Sequence, residues 1–242
     1  MEQSTTDINI LFPVLNERLR LKNGIDRTVA YVRKNLTIPC KITILDNGSD
    51  DETPDIGRQL AEKYPEVSYV RVGERGVGVA FRRGISLNEC ALVGYMDIDL
   101  STDIKHLGQA VSLFQENPKL QYVNGSRFSK ASDTKGRKWY RKITSMGLII
   151  LLKAFCGFTF LRREAAEKLV AACGNDNGWF YTIEFLLRAE RMGMCIYDMP
   201  VEWQEDYNTT VKIWKTIKNY LIQMKRLHRE FRMESSGSLP RK

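Results

Sequence analysis

Two alternating periodicities along the first hundred residues constrain this chain more than any other feature. Ile8 to Leu15 is almost continuously apolar, as a strand buried on both faces must be, and it runs through Pro13 into polar Asn16 and Glu17. Ile25, Val29, Val32 and Leu36 then recur at spacings of three and four, the inward face of an amphipathic helix. Lys41 to Leu45 is a second strand that ends in the turn chemistry of Asp46, Asn47, Gly48 and Ser49. Thr53 and Pro54 supply an N-cap and a first-turn proline for a helix through Ile56 and Leu60. Val67 to Val72 is a third strand, the loop Gly73 to Gly78 opens a helix through Ile85, and Ala91 to Met96 is a fourth strand that stops at Asp97.

This β-α-β-α-β-α-β order predicts an α/β fold with a mostly parallel, Rossmann-like sheet, helices on both faces, and a ligand site at the carboxyl ends of the strands. Pro13 to Glu17, Asp46 to Asp51, Gly73 to Gly78 and Asp97 to Ser101 all fall at those ends, so four polar clusters are expected on one edge. At 242 residues with 43% hydrophobic content, residues 1–210 are expected to form one domain. A C-terminal amphipathic helix over 211–233 and a disordered tail over 234–242 complete the expected organisation.

The net charge of +8 is concentrated toward the end of the chain: residues 212–232 hold seven lysines and arginines against one acid, Glu230. Trp214, Ile217, Leu221, Met224 and Phe231 recur among them at helical spacing. Two partners fit such a helix, an anionic membrane surface or the domain itself, with the basic face left in water. Five scattered cysteines without a C-x-x-C pair point to reduced thiols in a cytosolic compartment rather than to disulfides or zinc. The opening residues lack the pattern of a secretory signal, and no apolar run reaches the length of a spanning helix, so a soluble or peripheral membrane protein is expected.

Asp97-Ile98-Asp99 carries the sharpest chemistry. Strand alternation would set both carboxylates on one side of the sheet edge, and two neighbouring anions call for a cation. Mg²⁺ or Mn²⁺ fits, because hard divalent ions take oxygen ligands and complete their shells with substrate phosphates. Asp46 is placed to accept hydrogen bonds from a nucleobase or ribose, or simply to close an Asx turn. Gly76 and Gly78 would let the backbone approach a phosphate, or serve only as a turn. A nucleic-acid reader would explain the basic tail but not the acidic strand ends, so no nucleic acid is expected as a partner.

PVLNE (Pro13 to Glu17), DNGSDD (Asp46 to Asp51), GVGVAFRRG (Gly76 to Gly84), DIDLST (Asp97 to Thr102) and GSR (Gly125 to Arg127) together resemble the family-two glycosyltransferases in order and spacing. Over residues 8 to 206 the resemblance is to the dolichyl-phosphate mannose synthase and dolichyl-phosphate glucosyltransferase branch. It implies a GT-A fold, a nucleoside-diphosphate sugar donor (UDP or GDP), inversion at the anomeric carbon, a metal-stabilised leaving group and a polyprenyl-phosphate acceptor at the cytoplasmic membrane face. By position, Pro13, Asn16, Glu17, Asp46 and Asp97 would hold the nucleotide, Asp99 would be the main metal ligand, and Ser101 would join the metal shell. Arg127, Arg141 and Ser145 would grip the acceptor phosphate. Glu184 matches an acidic position of a later motif and would act as general base on a hydroxyl acceptor or orient residues around the sugar.

Two departures from the pattern stand out. Thr182 occupies a position where relatives often carry Asp. Relatives also place several residues between the segments that meet here at Phe155 and Cys156; residues missing from that junction are expected in preference to a true deletion. Around Glu184, the helical period sets Phe185, Leu186 and Ala189 inward and Arg188 and Glu190 outward. The alternatives to a lipid-phosphate transferase are a transferase onto a hydroxyl of a glycan, lipid or protein, a non-catalytic sugar-nucleotide-binding protein, and a nucleotidyltransferase on a related sheet.

Overall fold

A computed structural model of the chain describes residues 7–126, 155–204 and 213–235. The elements run β1 (Ile8–Val14), α1 (Leu21–Asn35), β2 (Cys40–Asp46), α2 (Thr53–Lys63), β3 (Val67–Arg71), α3 (Val77–Ser86), β4 (Leu92–Met96), α4 (Lys105–Glu116) and β5 (Tyr122–Ser126). After these come β6 (Phe155–Arg162), α5 (Arg163–Ala172), α6 (Phe180–Arg191), β7 (Ile196–Pro200) and α7 (Ile213–Ser235).

The seven strands form one sheet in the order β3-β2-β1-β4-β6-β5-β7. β1 pairs in parallel with both β2 and β4, so the chain winds outward from β1 in both directions and the loops after β1 and β4 part at a crevice. β6 alone runs antiparallel, to β4 and to β5. Side-chain alternation sorts β1 between two cores: Ile8, Ile10, Phe12 and Val14 pack with α1, α2 and α4, whereas Leu11 packs with α3, α5 and α6. A strand buried on both faces has no polar side, which is why β1 is apolar but for Asn9, whose Oδ1 accepts the Thr43 hydroxyl at 2.9 Å.

The β-α alternation expected through β4 is present, with element ends within a few residues. One detail differs. Thr53 is the first helical residue of α2 rather than its cap, and its hydroxyl accepts the Glu17 N–H at 2.8 Å, tying the loop after β1 to α2. β6 runs through Phe155 and Cys156, and the connection that precedes it, residues 127–154, lies outside the described residues. α7 reaches Ser235, two residues past the boundary expected from sequence, and residues 236–242 of the expected tail lie outside the described residues.

Candidate active site

The loops after β1 and β2 are laced together. Asn16 takes a left-handed backbone conformation at φ 58°, and its N–H donates to Ser49 Oγ at 2.9 Å. Its side-chain amide donates to Asp50 Oδ1 at 2.6 Å and accepts the Asp50 N–H at 2.9 Å. These contacts, with Arg75 at 3.0 Å, hold the Asp50 carboxyl below its ordinary range. Glu17 is clasped by Arg20 at 2.7 and 3.0 Å. Pro13 sits near the end of β1, beyond its last β4 partner at Leu11, so its missing N–H leaves no gap in that ladder.

Asp46 joins this cluster from below. It is fully buried; Oδ1 accepts the Ser49 N–H at 2.8 Å and Oδ2 accepts the Tyr69 hydroxyl at 2.5 Å. Burial and the adjacent carboxylate push the Tyr69 phenol up to about 12, so Tyr69 remains a donor. The Asx-turn alternative therefore describes what Asp46 does within the protein. Asn47 beside it has a buried side-chain amide oxygen, Oδ1, with no hydrogen-bond partner among the described residues.

Asp97 and Asp99 lie just past β4 in a turn closed by Leu100 N–H to Asp97 O at 3.1 Å, with Leu100 at φ 54°. β4 has ended at Met96, so strand alternation is not what aligns the pair. Burial does: Ile98 and Leu100 turn into the core while Asp97 and Asp99 stay half-exposed. Asp97 Oδ1 accepts the Tyr95 hydroxyl at 2.5 Å, and Asp99 Oδ1 accepts the Ser101 N–H at 2.9 Å. The segment after β7 straps the turn down, through Gln204 N–H to Ser101 O at 2.8 Å, Asp103 N–H to Glu202 O at 3.1 Å and a bridge between Thr102 and Trp203. His106 Nε2 accepts the Glu202 N–H at 2.9 Å and reinforces the strap.

Two glycines that sequence reasoning passed over make room for this turn. A Cβ on Gly157 of β6 would lie 1.8 Å from Asp97 Oδ2, and one on Gly24 of α1 would lie 2.3 Å from the Ile98 carbonyl oxygen. Among the described residues no three His, Cys, Asp or Glu side chains gather as a metal cage. Two half-exposed carboxylates over a cradle without side chains suit Mg²⁺ or Mn²⁺, which leave most of the shell to water and phosphate. Gly157→Ala is expected to displace the Asp97 carboxylate, weaken Mn²⁺ binding by more than about tenfold and cost about 1–3 kcal/mol in stability. Titration calorimetry and thermal melts check both effects, and wild-type Mn²⁺ affinity in the variant would refute the cradle.

Gly76, at φ 146°, and Gly78 approach backbone, as expected of such a turn, but the backbone is the protein's own. Added Cβ atoms would lie 2.1 Å from Asn177 O and 2.4 Å from Asp176 O. Arg82 fastens the same loop, donating to Asp176 O at 2.7 Å and to Asn177 Oδ1 at 2.8 Å.

Glu184 belongs to α6 and not to the β4 turn. It is fully buried on α6, where Oε1 accepts Arg188 Nε at 2.8 Å and Gly174 N–H at 2.9 Å, and Oε2 pairs with Arg226 of α7. Burial raises its pKa, but Arg226, the Gly174 amide and Arg188 outweigh that and hold it below the ordinary range. A carboxylate held this way is poorly placed to take a proton from an acceptor. Arg188, expected to face outward, is 6% exposed and lies in the same network, because α7 covers that side of α6. Arg127, Arg141 and Ser145 lie outside the described residues.

The chain matches Glycosyl transferase family 2 over residues 9–170. It is 28% identical to glycosyltransferase AglD of Haloferax volcanii over 87% of this chain, spanning 35% of that protein's length. It is 28% identical to dolichyl-phosphate beta-glucosyltransferase ALG5A of Trichomonas vaginalis over 92% of this chain and 74% of that one. Among solved structures, mannosyl-3-phosphoglycerate synthase from Rubrobacter xylanophilus aligns with a TM-score of 0.65 at 19% identity, covering 97% of this chain and 76% of that one. Glucosyl-3-phosphoglycerate synthase from Mycobacterium tuberculosis in complex with Mn²⁺ and UDP-Glc aligns with a TM-score of 0.62 at 17% identity, covering 90% and 77%. With the sheet order, the strand-end carboxylates and the match over residues 9–170 in agreement, this GT-A chain belongs to glycosyl transferase family 2.

Proposed function

We propose that the chain transfers a hexose from a nucleoside-diphosphate sugar to a polyprenyl phosphate, with inversion and with Mg²⁺ or Mn²⁺ held by Asp97 and Asp99. Relatives named dolichyl-phosphate beta-glucosyltransferase favour glucose as the hexose. Asp99 is the main ligand, Asp97 is kept in place by Tyr95, and Ser101 borders the same turn. The bound metal would neutralise charge on the departing diphosphate. An acceptor phosphate oxygen attacks the anomeric carbon from the face opposite the diphosphate; the new C–O bond forms as the bond to the diphosphate breaks. Pro13, Asn16, Glu17, Asp46, Gly76 and Gly78 frame the nucleotide side, with Asp46 shaping the base pocket through its turn. Arg127, Arg141 and Ser145 are proposed to receive the acceptor phosphate.

The observation that carries the acceptor class is the state of Glu184. A hydroxyl acceptor needs a base, whereas a phosphate is already ionised and needs none. Glu184, the acid proposed for that task in the hydroxyl reading, is fully buried and committed to two arginines.

Membrane proximity is proposed from α7. Its outward face carries Lys218, Lys225 and Arg229 together with Leu221 and Ile222, which are 47% and 55% exposed. Exposed apolar residues among cations fit the surface of an anionic bilayer. No helix among the described residues is long and apolar enough to cross a membrane.

The deciding experiment offers UDP- and GDP-hexoses to the purified protein with Mn²⁺, with and without a short polyprenyl phosphate in anionic vesicles, and measures nucleoside diphosphate release. The expected result is release that needs both lipid phosphate and metal and that stops with EDTA. Release onto hydroxyl acceptors alone would transfer the assignment to that class. Donor binding without release would favour the sugar-nucleotide-binding alternative, and no donor binding would overturn the reading altogether.

A further inference from the structure

The outer face of α7 is exposed at Leu221, Ile222 and Lys225, but its inner face is built into the molecule. Tyr220 and Leu227 pack on Phe180 and Ile183 of α6. Beside them Arg226 pairs with Glu184 and with Glu230 at 2.9 Å, while Arg188 reaches Glu230 at 2.5 Å. The Arg226 guanidinium also lies close against Gly174: a Cβ there would come within 2.6 Å of Nη1. Two turns back along the helix, Asn219 Nδ2 donates to Asp176 Oδ1 at 3.3 Å, and Asp176 Oδ2 accepts the Gly178 N–H at 2.9 Å.

The segment between Gly174 and Gly178 is therefore gripped from one side by α7. Its other side presses on the turn that opens α3. Gly78 N–H donates to Asn177 O at 3.1 Å, and Arg82 of α3 holds both Asp176 and Asn177. Gly76 and Gly78 approach Asn177 and Asp176 so closely that neither position has room for a Cβ. A segment with such contacts on both sides cannot shift on one side without the other following, since close-packed interiors transmit displacement.

We infer that Arg226 and Asn219 of α7 are positioning residues for the sugar-nucleotide donor, acting through the 174–178 segment on the Gly76 to Gly78 turn. The consequence for the donor rests on the transferase reading above; the mechanical link between α7 and the turn does not. A binding site has to be held within about 0.5 Å of its productive geometry, so a small shift of this turn weakens its hold on the donor. The helix that offers cations and exposed apolar side chains to a membrane on one face thus supports the donor turn with the other.

The test uses the full chain and four variants: Asn219→Ala, Arg226→Met, Arg226→Lys and, as control, Glu234→Gln. Glu234 pairs with Arg188 and Arg191 at the far end of α7 and reaches the 174–178 segment only indirectly, through Arg188 and Glu184. Hydrogen exchange in the protein without donor is read together with donor KM and kcat. In Asn219→Ala and Arg226→Met, exchange is expected to accelerate about tenfold both at 174–178 and at the Gly78 amide, because each opens the same locally cooperative unit. Donor KM should rise about fivefold at little cost in kcat, as expected when binding alone is weakened. Arg226→Lys should fall between these and wild type, since a single ammonium cannot reproduce the guanidinium fork. Glu234→Gln should lower Tm while leaving Gly78 exchange and KM unchanged.

Faster exchange at 174–178 with an unchanged Gly78 amide would overturn the inference, as would an unchanged KM in both Asn219→Ala and Arg226→Met. Asn219→Ala removes one hydrogen bond, from an uncharged amide to Asp176, so it keeps the test decisive should Arg226→Met fail to fold. If wild type turns over no donor, the transferase reading falls, and the exchange measurements alone decide whether α7 holds the turn.

Discussion

Asp99→Ala is expected to lower metal-dependent nucleoside diphosphate release by about a thousandfold, on the order of 4 kcal/mol in the activation barrier. The reasoning starts from the turn. Asp99 is half-exposed beside buried Ile98 and Leu100, and its one protein hydrogen bond among the described residues is the Ser101 amide at 2.9 Å, so the carboxylate is available to a cation. Removing it deletes charge where the leaving diphosphate develops charge and leaves the core alone. The Tm should therefore stay within about 1 °C of wild type, as for other surface substitutions. Steady-state release across a Mn²⁺ titration, with melts in parallel, checks the prediction. Activity within tenfold of wild type at saturating Mn²⁺ would remove Asp99 from the metal site. Asp97→Ala should lose comparable activity but also remove the carboxylate that accepts the Tyr95 hydroxyl, so a lower Tm is expected there.

Glu184→Gln should behave in the opposite way, with a large loss of stability and a small loss of chemistry. The carboxylate is fully buried and faces Arg188, 7% exposed in its side chain, and Arg226, 24% exposed. Breaking a buried ion pair from one side typically costs about 3–5 kcal/mol; Glu230 and Glu234 still face the two arginines, so the low end of that range applies, a Tm drop on the order of 10 °C. At a temperature where the variant is folded and at saturating donor, kcat should remain within about twofold, whereas loss of a general base would cost about a hundredfold or more at unchanged Tm. The melt and kcat together separate the two roles.

Acid provides an independent check on the same residue. The folded-state pKa of Glu184 lies below its ordinary value of 4.5, so the stability it contributes is fully present above that value and is lost as the pH falls through the folded pKa. Wild type should lose stability more steeply than Glu184→Gln below about pH 4.5, and the gap between their melting temperatures should narrow in acid. Parallel acid dependence in the two proteins would exclude Glu184 as the buried anion of the clasp.

The outer contour of this protein was legible in its sequence because it follows from local periodicity. Continuous apolar runs mark strands covered on both faces, spacings of three and four mark helix faces, and both patterns are imposed by burial one element at a time. The strand-end placement of Asp97 and Asp99 was legible for the same reason, since a buried run must stop where two carboxylates begin. Tertiary structure decided everything that depends on residues distant in sequence. Arg226 looked like one more cation of a basic helix until it met Glu184, 42 residues away, and Arg188 faced solvent only until α7 covered it. Gly24 and Gly157 carry no chemistry of their own, so only the placement of α1 and β6 beside the Asp97 to Asp99 turn shows what their missing side chains leave room for. Charge and periodicity describe what a segment offers; which neighbour accepts the offer is set by packing, and packing is not written in any single segment.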